Sequence, residues 1–191
     1  MVALTSLWLP ILVSAVAAFV IGSAMWMMPH HKGDSKVLPD EDGVRSALGK
    51  FGLARGVYFF PHMSSLDGKS KEERAEMMRR GPAGMLHIFE SNMFAKMGRN
   101  MALILVYYVV VSAVVAYVAS ETLPGGTGFM RVWQIAGTVG VAAYCFAGIP
   151  YAICFSTPAR NIVSAFVDGV VMGLATGAVF AWLWPTAGVV I

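Results

Sequence analysis

Of 191 residues, 57% are hydrophobic and 13% charged, where ordinary soluble domains carry roughly a quarter charged residues; this argues against an ordinary soluble domain and points to a membrane protein. The net charge of +3 is small, but residues 29–99 hold twelve of the fourteen Lys and Arg, nine of the eleven acids and all four histidines. No arginine-rich arm or basic patch with interleaved aromatics is present, so nucleic acid is not an expected partner.

A bilayer core of roughly 30 Å needs about 20 apolar residues at helical rise. The first such stretch, "LTSLWLPILVSAVAAFVIGSAMWMM", covers residues 4–28. It has no basic segment before it and is longer than the apolar run of a secretory signal, so it reads as a retained span. It ends in "WMMPHHKGD", where Pro29 stops the helix and Lys32 is the first basic anchor.

Residues 29–100 read as a small α/β or α-helical module rather than a linker. In "LPDEDGVRSALGKFG" acids follow Pro39, and Val44, Ala47, Leu48 and Phe51 fall at helical spacing. "SKEERAEMMRRG" is a helix with a capping box of Ser70 and Glu73, basic Arg79 and Arg80 in the last turn, and Gly81 after it. "GVYFFPHM" is extended, aromatic and stopped by Pro61. "AGMLHIFE" is either a second strand or the start of an interfacial helix using Met85, Phe89, Met93 and Met97.

Three more spans follow, at 101–120, 132–156 and 162–185. The expected fold is therefore an all-α membrane protein, four transmembrane helices in a bundle, divided as 1–28, 29–100 and 101–191. Cys145 and Cys154, nine residues apart in the third span, face opposite sides of a helix and read as small core residues that do not bridge. Pro150, close behind Gly148, predicts a bend. All five tryptophans, Trp8, Trp26, Trp133, Trp182 and Trp184, lie near span ends, as interfacial indoles do.

Lipid supplies no hydrophobic force between helices, so small residues that let backbones approach become the contacts. The fourth span carries Ala165, Gly169, Gly173, Gly177 and Ala181 at four-residue intervals. Ser14, Ala18 and Gly22 in the first span and Ser112, Ala116 and Ser120 in the second form shorter series. Contacts within the bundle are expected from these faces, with a homo-oligomer or partner subunits as the other use.

Asp168 is the only acid inside a span. An intramembrane carboxylate must face protein or water, and it marks a candidate site by default. Asp168, Met172 and Thr176 form a stripe beside the glycine face, aimed at the bundle. The competing reading is a carboxyl hydrogen-bonded to Tyr, Ser or Thr of a neighbouring span, such as Tyr107, Tyr108 or Tyr144. A second candidate is a transition-metal site of His30, His31, His62 and His87, provided the two extended segments pair and fold back to the first span; Met28, Met63 or Met85 would be soft neighbours suited to copper. The spacing lacks the i, i+4 pair of a helical zinc site, and interfacial histidines paired with backbone carbonyls or lipid phosphates are the plainer alternative.

Lys32, Lys36, Arg45, Arg80, Lys96, Arg99 and Arg160 flank the spans on one side against Arg131 on the other. The positive-inside rule then places 29–100 in the cytoplasm and both termini opposite. No histidine lies within a span, and GxxxxGK[ST], HExxH and GxSxG are absent, which argues against intramembrane haem, nucleotide hydrolysis, zinc proteolysis and serine hydrolysis.

"PHHKGD…LPDEDGVRSAL", "GVYFFPHM", "GPAGML", "MGRNM" and a last span ending "DGVVMGLATGAVFAWLWP" together resemble an uncharacterised family of bacterial four-span inner-membrane proteins that pair PHHK-x-D…LPDE with Y-x-FPH. The resemblance covers most of the chain and implies a bacterial inner-membrane protein. It implies no activity and carries over no functional residue. The functional expectation is a non-catalytic integral membrane subunit or scaffold, an accessory of a larger respiratory or photosynthetic type complex. The alternatives are a metal-binding membrane protein using the loop histidines and a small proton-coupled transporter using Asp168.

Overall fold

The computed structural model describes residues 2–89 and 94–186. The chain divides into two compact units, one made of residues 1–36 and 98–191 and the other of 37–97. The first contains four helical segments long and apolar enough to cross a membrane: Leu4–Trp26, Met97–Thr122, Phe129–Cys154 and Ala159–Trp182. They include helices α1 (Trp8–Trp26), α4 (Met97–Thr122), α5 (Phe129–Cys145), α6 (Ile149–Cys154) and α7 (Ala159–Trp182). The helical path opens at Phe146–Gly148 and resumes with Pro150 in the first turn of α6, where its missing N–H is harmless.

α5 and α7 are held together by glycine. A Cβ built on Gly173 would lie 2.4 Å from the Val141 backbone nitrogen, and one on Gly177 would lie 2.6 Å from the Gly137 Cα. Gly169 meets the Cys145 thiol in the same way, at 2.6 Å. At Gly137 and Gly177 the backbones approach because neither carries a side chain, and at Gly169 and Gly173 the missing side chain on α7 makes room for the α5 residues opposite, the device expected where lipid gives no hydrophobic drive. Ala181 extends this buried face, but Ala165 does not: it is exposed, and Ser164 turns inward instead. A strict four-residue repeat drifts around a helix with 3.6 residues per turn, so a five-member series does not stay on one face.

α1 and α4 meet through Ser14 and Ser112, both fully buried, with Oγ atoms 3.0 Å apart. The apolar core lies toward the 122–129 connection, where Leu7, Val115, Ala119, Val132 and Phe180 are fully buried. That end is also pinned by the Gly126 amide donating to the Pro185 carbonyl and the Trp184 indole N–H donating to Pro124. Cys154 is exposed rather than a core residue, because it falls in α6 beyond the helix break; Cys145 is buried, and both are free thiols.

The 37–97 unit is built around a two-stranded antiparallel sheet, β1 (Gly56–Phe60) with β2 (Gly84–Ile88), in register Tyr58 opposite Leu86. Gly84–Ile88 is therefore a strand; of the interfacial-helix alternative, Met93 lies outside the described residues. Helix α2 (Glu41–Gly49) is capped by Asp40, whose side chain accepts from the Gly43 amide. Helix α3 (Lys71–Arg80) carries the full capping box of Ser70 and Glu73.

Candidate metal site

In the first unit, His30, His31, Asp34, Arg160 and Asp168 come together where α1 stops and α7 begins. After Trp26 the chain makes a short 3-10 turn, Pro29–His31, which Pro29 starts because its fixed φ suits a first helical position. This turn directs both imidazoles of His30 and His31 to one carboxylate. His30 Nε2 lies 2.8 Å from Asp168 Oδ1 and His31 Nε2 lies 2.7 Å from Asp168 Oδ2. Asp168 sits in α7, two and a half turns from its start, with its side chain 13% exposed. A carboxylate at that depth is costly unless paired, and here two rings pair with it.

His31 is engaged on both sides. Its Nδ1 lies 2.6 Å from Asp34 Oδ2, so the ring bridges two carboxylates. The hydrogen bond to Asp34, followed by that to Asp168, raises the His31 pKa above its ordinary value, against the opposing effect of burial. The Trp26 ring packs on His31 with centroids 4.9 Å apart, and the two histidine rings are 4.3 Å apart.

The start of α7 holds this segment in place. Asn161 Nδ2 donates to the Asp34 carbonyl at 2.8 Å, Ser164 Oγ to the His30 carbonyl at 3.4 Å, and Arg160 to the carbonyls of Lys32 and His30. Gly33, between them, has φ +97°, a conformation open to glycine and strained for a side chain. Arg160 Nε stands 3.9 Å from Asp34 Oδ1, too long for a hydrogen bond, and that buried oxygen has no hydrogen-bond partner among the described residues.

One donor atom from each of His30, His31 and Asp168 lies within 4.8 Å of the others, the one such cluster among the described residues. Ligands about 2.0–2.1 Å from a zinc-like ion stand about 3.3 Å apart in a tetrahedron, so the three groups lie close enough to be candidates for sharing one ion. Two imidazoles and one carboxylate suit a first-row divalent transition ion and leave a position open.

Of the residues expected from the sequence, His30 and His31 from one candidate site and Asp168 from another form a single cluster. His62 and His87 belong to the separate 37–97 unit, where both are exposed. His87 stands opposite Val57, whereas His62 follows Phe60 at the other end of β1 and accepts from Ser64 through Nδ1. The proposed pairing of the two extended segments occurs, but its register keeps these two histidines apart. Tyr107, Tyr108 and Tyr144 are not hydrogen-bond partners of Asp168; Tyr108 donates to the Met172 thioether at 3.7 Å. Asp34, Asn161 and Arg160 are not among the candidate site residues the sequence singles out; the three-residue step from His31 to Asp34 is the one local signal of their contact. No family model, curated protein or solved structure matches the chain.

Proposed function

We propose that this chain is a multi-pass protein of the bacterial inner membrane that binds a divalent first-row transition ion at the membrane surface through His30, His31 and Asp168, with residues 29–100 on the cytoplasmic side. The observation that carries this reading is the convergence of two Nε2 atoms and a carboxylate from segments more than 130 residues apart in sequence. The bulk of α1 and α7 is apolar, so a single acid retained in a span together with two loop imidazoles aimed at it fits a ligand set. Elemental analysis of protein purified from its native membrane tests the proposal. One zinc, copper, cobalt, nickel, iron or manganese per chain is expected, lost in Asp168→Ala. A metal-free wild type that also fails to take up Co(II) or Zn(II) refutes it.

A role as an accessory subunit of a larger respiratory or photosynthetic type complex is a compatible second reading. A shallow, mainly apolar groove on α5 and α7, lined by Trp133, Gly137, Thr138, Val141, Phe146 and Leu174, supports it, since small residues admit a neighbouring span. A protein that runs as a monomer without companions after gentle solubilisation counts against that reading.

A further inference from the structure

Resting on the metal-site reading, we infer that Asp34 is its positioning residue. Asp34 fixes the His31 ring with the proton on Nδ1, so that Nε2 presents its lone pair to the ion beside Asp168.

Geometry carries the inference. His31 is the least exposed of the two imidazoles, 10% against 32% for His30, and it alone contacts a second carboxylate. An imidazole that donates Nδ1–H to a carboxylate has Nε2 as its remaining donor, is held in one ring orientation, and becomes a stronger ligand. His30 has no such partner among the described contacts, since its Nε2 faces Asp168 and its backbone carbonyl takes Ser164 and Arg160. The two histidines are therefore unequal: His31 is preset and His30 is the more exposed, movable ligand.

Asp34 is itself placed from α7. Its carbonyl takes the Asn161 amide, and the preceding carbonyl of Lys32 takes Arg160. Gly33 turns the chain between them with its positive φ, and a Cβ there would lie 3.3 Å from the Arg160 guanidinium. Asp34 and Asp168 thus reach His31 from opposite ring nitrogens, both referenced to the same helix. The spacing His31-x-x-Asp34 has a reason on this view: the carboxylate returns to its own turn to hold the ring that the distant Asp168 shares.

The test uses the full chain in lipid nanodiscs, with Co(II) as the probe and Zn(II) as competitor. Wild type is expected to bind one Co(II) with a visible ligand-field spectrum. Asp34→Asn should bind 10–100-fold more weakly with a changed spectrum, while Asp34→Glu recovers part of the affinity. Thermal stability of the metal-free variants separates this from a merely structural role, because the affinity loss should exceed what any loss of folded protein explains. A second measurement needs no variant: 15N-histidine NMR of the Zn(II)-loaded wild type should show His31 protonated at Nδ1 and metal-bound at Nε2. The reverse pattern overturns the inference, as does an Asp34→Asn variant that binds Co(II) like wild type; in both cases the metal site itself stands. Failure of wild type to bind Co(II) or Zn(II) removes the site and this inference with it.

Discussion

At the proposed metal site, His31 would couple protonation to metal binding. Its pKa is raised by Asp34 and Asp168, so the metal-free protein holds the imidazolium to higher pH than an unfolded chain. The stabilisation this supplies is complete below the unfolded value of about 6.5 and is lost as pH rises through the folded value. An ion must displace that proton, so its affinity should rise across the same window. Opposite slopes are expected: metal-free stability, measured as the wild-type minus His31→Gln difference in Tm, falls with pH above about 6.5, whereas the Co(II) dissociation constant tightens. Parallel slopes would show that His31 is not a ligand. At Gly33, the φ of +97° and the nearby guanidinium make Gly33→Ala costly. A loss of about 1–2 kcal/mol is expected in denaturation measurements, together with weaker metal binding.

Among the elements, α7 does two jobs with two faces. Gly173 and Gly177 let it lie against α5, while Asp168 on the adjoining stripe faces the histidines. A methyl at Gly173 would meet the backbone of Val141 rather than a movable side chain. Gly173→Ala should therefore destabilise the bundle by about 1–3 kcal/mol. Ala165→Leu, on the exposed side, should change stability by less than about 0.5 kcal/mol. Thermal unfolding in one detergent compares the two, and equal effects would show that the glycine contact is not the determinant. In the 37–97 unit, Ser70 caps α3 and lowers the pKa of exposed Glu73 through hydrogen bonds. That contribution is present above the unfolded carboxyl pKa and lost as pH falls through the folded one. Ser70→Ala should cost about 1 kcal/mol, visible as faster amide exchange in α3.

At the scale of the whole molecule, an ion at the proposed site of His30, His31 and Asp168 would tie the end of α1 to α7. Any ligand of the folded state alone stabilises it by mass action, about 2.7 kcal/mol at a hundredfold excess over Kd. Zn(II) should raise Tm of wild type and leave Asp168→Ala unchanged, while Mg(II) at equal concentration should do little because imidazole donors do not suit it. An equal shift with Mg(II) would indicate nonspecific binding.

Much of this molecule was legible in one dimension because its causes are local. Span length follows from bilayer thickness and hydropathy, so four apolar helices were readable from residue order. The α3 capping box needs only Ser70 and Glu73, three residues apart. The glycine series announced a close helix contact, though the inclusion of Ala165 required a phase that only the packed helix fixes. The site was half legible: Asp168 stood out as an acid in lipid, and His30 and His31 as polar residues at a span end. Their meeting was not, since whether a ring after α1 reaches a carboxylate in α7 depends on helix rotation and on carbonyl contacts from Arg160 and Asn161. Sequence determined the elements by near-neighbour physics; the tertiary structure alone decided that two histidines and one aspartate occupy the same few ångströms, because that distance is set by packing between helices and not by the order of residues along any one of them.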